Sequence, residues 1–225
     1  MTLTLGDPPI EIALRRLARA RRFSLRVAQA DGRVTLSLPQ RARLAEAMDF
    51  ARAQEGWIRA ALARMPKGLT VALGGQIPVE GAMLTLVAGQ VMQVQGDHLM
   101  VPGDPDQVAA RVAAFLRVRA RDRLAAASDF YAAQIGRQVT KISLRDTRSR
   151  WGSCTHQGDL MYNWRLIMAP PAVLNYVAAH EVAHMVEMNH SDAFWAVVTR
   201  LYPDWQAQRA WLKQQGGSLQ ALRFS

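Results

Sequence analysis

Apolar and polar side chains alternate early in the chain. FSLRV (23 to 27) and RVTLSL (33 to 38) each send every second residue to one face, the period of a half-buried strand. Asp31-Gly32 between them is a tight-turn signal, so short strands from Ile10 to Leu38 with a hairpin at that dipeptide are predicted. The period then lengthens. Leu44, Ala47, Met48, Ala51, Trp57, Ile58, Ala61 and Leu62 recur at helical spacing, which predicts one amphipathic helix over about 41–64, closed by Pro66 to Gly68.

Residues 69 to 102 return to short apolar runs (QIPVE, MLTLV, HLMVP) punctuated by glycine, as a small sheet with tight turns requires. From Asp106 to Ala133 the positions Val108, Val112, Phe115, Leu116, Val118, Leu124 and Tyr131 predict a long helix. Three strand-like segments follow: VTKISLRD, RSRWGSC and GDLMYNWRL. Pro170-Pro171 then opens a helix where proline is tolerated, and Asp192 to Leu201 forms another, with Phe194, Trp195, Val198 and Leu201 on one face. No internal repeat is evident. The expected class is α+β: a β-rich N-terminal module over 1–102 with one packing helix, then a second domain over 103–225 built on a long helix and a small antiparallel sheet.

Composition narrows the chemistry. The chain has one cysteine, Cys154, so neither an intrachain disulfide nor a multi-cysteine zinc knuckle can form, and any metal site must use histidine and carboxylate. There is no apolar run of about 18 residues and no secretory leader pattern, which predicts a cytoplasmic protein with no membrane partner. The net charge is +10, almost all the cations being arginine. Residues 1 to 64 hold 12 arginines against six acids, which makes nucleic acid a conceivable partner of the N-terminal module. Basic charge spread over a solvated surface is the plainer explanation.

The chemistry-bearing motif is His180-Glu181-Val182-Ala183-His184. On a helix four residues advance the direction by about 40° beyond a full turn, so both imidazoles reach one ion. Glu181 follows the first of them, placed to act as general base on a metal-bound water. A catalytic zinc takes three protein ligands, and His190 is the evident third, with one ion per chain. The spacing H-E-x-x-H-x5-H fits a metzincin frame, but Glu187 stands where that frame has glycine, and no methionine follows Met188 to build a Met-turn. The chain is expected to turn at Asn189 instead. Glu187 is a candidate acceptor orienting a histidine ligand.

RDTRSRWGSC, followed by LMYNWRLIMAPPAVLNYVAAHEVAHMVEMNHSDAFW, resembles the YgjP-like metallopeptidases, relatives of SprT-like and WLM-type zinc proteases. ARARRFSLRV, the EGWI near Trp57 and the terminal Leu-Arg-Phe extend the resemblance along the chain. It implies a β-rich N-terminal module before a zincin-like catalytic domain, with metal on His180, His184 and His190 and Glu181 catalytic. The leading expectation is a zinc-dependent peptidase acting on a peptide or protein. RSRWGSC or GDLMYNWRL would pair with the extended substrate, and Arg150, Trp151, Tyr162, Asn163 and Arg165 are candidate substrate-binding residues. His156, Tyr162, Asn163 and Arg165 are also candidates to stabilise the oxyanion. Two alternatives keep the metal: a nucleotide phosphohydrolase, or a nucleic-acid-associated SprT-like protein with a basic binding module.

Overall fold

The early alternation becomes a four-stranded sheet of β1 (Thr2–Leu5), β2 (Ile10–Leu17), β3 (Ser24–Val27) and β4 (Val34–Pro39), in the order β1-β2-β4-β3. Leu3, Leu5, Ile10, Ile12, Val34, Leu36 and Leu38 face a common core. These coordinates are a computed structural model describing residues 2–28, 32–63 and 69–224. β3 and β4 are antiparallel, and Gly32 (φ 71°) donates to the Ala28 carbonyl at 2.9 Å. The Asp31 half of the predicted turn and the Pro66–Gly68 helix end lie outside the described residues.

The single helix expected over 41–64 is two, α1 (Leu44–Ala53) and α2 (Glu55–Ala63), parted at Gln54. A helix of that length would span about 36 Å, longer than the about 26 Å of an eight-residue strand. The break keeps Ala47, Ala51 and Ile58 over the sheet, while Leu44 and Trp57, read as apolar-face residues, are exposed. Some of the arginines here have structural work: Arg16 donates to the Gln40 and Ala42 carbonyls, and Arg59 to Glu55 and the Pro8 carbonyl.

The boundary between compact units falls at Lys67/Gly68, not after residue 102. Strands β5 (Gln76–Val79), β6 (Ala82–Gly89), β7 (Gln93–Gln95) and β8 (His98–Pro102) belong to the second unit because Ile77, Val79, Leu84, Leu86, Leu99 and Val101 bury into the same core as the helices that follow. The sequence hides this, since apolar alternation shows that a strand has a buried face but not what covers it. Glu80 and Gly81 form the two-residue β5–β6 turn with φ of 50° and 82°. The Glu80 carboxylate is clamped by Arg119 and Arg123, and its N–H donates to the Ile167 carbonyl at 2.7 Å.

This sheet, ordered β5-β6-β8-β7, repeats the topology of the first: antiparallel outer pairs about a parallel centre, then a helix. The repeat escapes sequence reading because it lies in strand order and not in residue identity.

Helix α3 (Val108–Gln134) buries Val108, Val112, Leu116, Ala120, Leu124 and Ser128 every fourth position and turns Val118 outward. Strands β9 (Lys141–Arg145), β10 (Gly152–Cys154) and β11 (Asp159–Asn163) form a sheet ordered β10-β11-β9. It is mixed, not the small antiparallel sheet expected: β11 runs antiparallel to β10 and parallel to β9, the chain crossing over before β10 begins. Helices α4 (Pro171–Ala183), α5 (Asp192–Leu201) and α6 (Trp205–Ala221) complete the unit. The segment 205 to 221 carries Gly216-Gly217 and long polar runs, weak helix signals, yet Gly216 is required where it stands: a Cβ there would sit 2.9 Å from Trp151. No described helix is long and apolar enough to cross a membrane.

Candidate metal centre

Helix α4 is apolar around most of its circumference, and it is buried accordingly, packed against α3, α5, α6 and β10. Its last turn carries His180 and Glu181, and His184 caps its C-terminus. The chain then turns through Asn189, as expected, but without positive φ: the Asn189 side-chain oxygen accepts from the Ser191 N–H at 3.0 Å. Ser191 caps α5, its hydroxyl accepting from the Phe194 N–H. This short connection brings His190 back over α4.

The ligand atoms of His180, His184 and His190 all lie within 4.8 Å of one another, with the Nε2 atoms of His180 and His190 3.2 Å apart. Phe194, fully buried, floors the cluster with its ring centroid 4.4 to 4.9 Å from all three imidazoles. Trp195 stacks on His190 from the side at 5.9 Å. His184 Nδ1 lies 3.0 Å from the Glu187 carbonyl oxygen. A proton on that nitrogen leaves Nε2 as the lone-pair donor. The orienting group is thus the Glu187 backbone and not the side chain the sequence suggested. That position can carry glutamate instead of glycine because its backbone does not take positive φ.

Burial, and then the neighbouring His184, His190 and Arg209, pull His180 down to about 3, and burial likewise lowers His184. Both rings are therefore neutral at physiological pH, the form that donates to a metal. Nδ1 of His180 is buried with no hydrogen-bond partner among the described residues. Three imidazole nitrogens converging with no acid between them match the donor set of a catalytic zinc, three protein ligands with room for a fourth. Glu181 is nearly inaccessible; burial raises it to about 8 and nearby Arg150 pulls the other way.

Gly152 completes the arrangement from above. A Cβ there would lie 2.4 Å from Glu181 Oε1, so only glycine lets β10 approach the carboxylate this closely. Two hollows meet at Gly152, His180 and Glu181. One, of about 230 Å³, continues along Ser153, Cys154 and Met188. The other, of about 360 Å³, is lined further by Arg150, Trp151, Tyr176, Arg209 and Lys213. Burial raises the Cys154 thiol to about 11, leaving it protonated and unreactive.

Arg150 and Trp151 therefore stand at the cleft, as the sequence suggested. Tyr162, Asn163 and Arg165 do not. Tyr162 is fully buried with its hydroxyl 2.9 Å from Ser128 Oγ. Asn163 is fully buried, its amide nitrogen donating to the Thr147 carbonyl at 2.7 Å and its oxygen accepting from the Arg165 N–H. Arg165 forms a two-point pair with Asp146 (2.6 and 3.1 Å) and donates to the Leu219 and Leu222 carbonyls, tying the end of α6 to the sheet. β11 is paired on both sides, so among the two segments expected to meet a peptide only β10 has a free edge. His156 lies exposed in the β10–β11 turn and lines neither hollow. Tyr176, Arg209 and Lys213, lining the larger hollow, were not singled out from the sequence. The available signal was Arg209 and Lys213 at i and i+4 on a helix with no acid to offset them.

Compared with known proteins, residues 21–215 match the family model "YgjP-like, metallopeptidase domain". No curated protein matches the chain. Among solved structures, the metallopeptidase zymogen abylysin of Pyrococcus abyssi is similar at 21% identity and a TM-score of 0.35, over 43% of this chain and 95% of that one. With the family model spanning most of the sequence, this chain belongs to the YgjP-like metallopeptidases, metal-dependent hydrolases.

Proposed function

We propose that the chain is a zinc peptidase that holds one zinc ion on His180, His184 and His190 and uses Glu181 as general base. The observation that carries the reading is the convergence of three imidazole nitrogens within 4.8 Å beside a buried glutamate, under the free edge of a strand. When bound, zinc polarises the scissile carbonyl and lowers the pKa of the attacking water. The protein's own groups do the rest. The Glu187 carbonyl fixes the tautomer of His184, and Phe194 fixes the ring planes. Glu181 takes the proton of the attacking water and passes it to the departing nitrogen. Its burial keeps bulk water from competing for that proton.

β10 supports peptide as the substrate. Asn163 N–H bonds to the Trp151 carbonyl and Thr155 N–H to the Asp159 carbonyl, so by the alternation of an antiparallel ladder Gly152 and Cys154 point their own N–H and C=O groups to the free edge. An extended peptide adds there as a strand. Arg150, Arg209 and Lys213 around the larger hollow give the phosphoanhydride alternative some support, since they suit an anionic substrate.

Purified protein should carry about one zinc per chain by elemental analysis, His184→Ala should lose it, and Glu181→Gln should keep it while kcat falls about 10²- to 10⁴-fold. Full metal occupancy in His184→Ala defeats the ligand assignment. Side-by-side assay of peptides and nucleoside triphosphates decides the bond cleaved, and hydrolysis of the triphosphates alone defeats the peptidase reading.

A further inference from the structure

The two hollows that meet at Glu181 differ in character. On the Cys154 side the lining beyond the shared residues is Ser153, Cys154, His184, Met188 and His190, without a fixed charge. On the other side stand Arg150, Arg209 and Lys213, and Glu181 is the one acid lining that hollow. None of the three cations forms an ion pair among the described residues. Arg209 and Lys213 are one helical turn apart on α6, which has no acidic residue along its length, so the two repel where an ordinary surface helix would interleave a glutamate. Arg209 is held in place as well. Its guanidinium lies 5.0 Å from the Trp195 ring and 5.9 Å from that of Trp205, and the two indoles stack at 4.3 Å. Stacking occupies the face of the guanidinium and leaves its N–H edge free for an anion.

Strand direction says where that anion sits on a substrate. β10 runs from Gly152 to Cys154, with Arg150 and Trp151 before it. A peptide pairing antiparallel with its edge runs the opposite way, entering beside Cys154 and leaving beside Arg150. The residues after the scissile bond therefore occupy the cationic hollow.

We propose that the hollow of Arg150, Arg209 and Lys213 binds a carboxylate on the C-terminal side of the cleaved bond, making the enzyme selective for peptides with an anionic group there. The inference rests on the peptidase reading above. The carboxylate has two sources, a free C-terminus close to the cut or an Asp or Glu side chain, and the same cations serve either. All three cations are exposed at the cleft, so water and salt weaken the contact and the selectivity is about tenfold, not thousandfold.

The test uses the full-length, zinc-loaded protein and fluorescein-labelled octapeptides of one alanine- and leucine-containing sequence, made as the free acid, as the C-terminal amide, and as the amide with Glu near either end. Binding to Glu181→Gln by fluorescence anisotropy reads recognition without turnover. Wild-type cleavage with product masses reads where the cut falls. The free acid, the amide with Glu near the C-terminus, or both should bind about tenfold tighter than the plain amide at low salt, and whichever gains identifies the source. Cuts should fall on the N-terminal side of the anionic group. Adding Arg209→Ala with Lys213→Glu to the Glu181→Gln protein should abolish the preference, with zinc content and melting temperature showing that the protein remains folded.

Equal binding of all peptides overturns the proposal. So does a preference that survives the charge change, or a gain from glutamate on the N-terminal side of the cut. Arg209-dependent binding of nucleoside triphosphates with no peptide preference overturns it too. Selective binding without cleavage of any peptide leaves the carboxylate site standing and defeats the peptidase reading, so the two failures are distinguishable.

Discussion

Replacing Gly152 by alanine adds one methyl group at the point where β10 touches the proposed general base. The backbone there does not need positive φ, so the effect comes from contact alone. The new Cβ would sit 2.4 Å from Glu181 Oε1 and 2.6 Å from both Cδ and Cγ. Ordinary van der Waals contact begins about 1 Å further out, and because the stem is struck as well as the tip, rotating the carboxylate does not relieve the clash. Glu181 must shift by about 1 Å, within a site that leaves it only 6% exposed. A displacement of that size costs on the order of 10² in rate, and overpacking of this kind costs about 1–3 kcal/mol of stability. Since the histidines are untouched, zinc content should not change. The assay is kcat on the best peptide substrate for wild type, Gly152→Ala, Glu181→Gln and the double variant, with metal content and urea unfolding alongside. A kcat within about threefold of wild type would refute the geometry. So would an equal loss from Gly152→Ala in the Glu181→Gln background, because two changes acting through one carboxylate cannot be additive.

Three further outcomes test the structural roles of Tyr162, Arg165 and Glu80. Tyr162→Phe should leave kcat close to wild type while costing about 1–3 kcal/mol in urea unfolding, because it strips Ser128 of its buried partner; a hundredfold loss of kcat at unchanged metal would return Tyr162 to the active site. Arg165→Met should cost about 2–4 kcal/mol, chiefly because it leaves the Leu219 and Leu222 carbonyls without their donor, the exposed Asp146 being solvated by water; a loss below about 1 kcal/mol would show that Arg165 does not anchor the end of α6. Burial alone would raise the Glu80 carboxyl, but hydrogen bonds and charge from Arg119 and Arg123 outweigh it and hold it below the ordinary glutamate range. Between the folded and unfolded pKa the unfolded chain binds more protons, so this contribution is complete above the unfolded value and is lost as pH falls through the folded one. Melting curves from pH 6 down to 3 should therefore show the advantage of wild type over Glu80→Gln shrinking with acid, and an advantage that grows would contradict the clamp.

The sequence alone determined whatever depends on local spacing. A separation of four positions from His180 to His184 on an apolar helix brings two imidazoles to one side whatever surrounds them, and the short run to His190 limits how far the third can stray. The hairpin strands, the proline start of α4 and the bounds of α5 are local in the same sense, because period and capping act over a few residues. Partnership across the fold was legible only in three dimensions. Tyr162, Asn163 and Arg165 lie at the end of the strand that precedes the metal helix, or just after it, and look like substrate contacts. β11 became the central strand, however, and its neighbours closed over them. Residues 69 to 102 show a buried face in their alternation, but only packing reveals that α3 covers it. Arg209 and Lys213 come from a helix some 25 residues beyond the motif, and Gly152 matters through a distance that no spacing rule encodes. Local periodicity specifies which way a side chain points from its own element, and only the assembled core decides what it meets there.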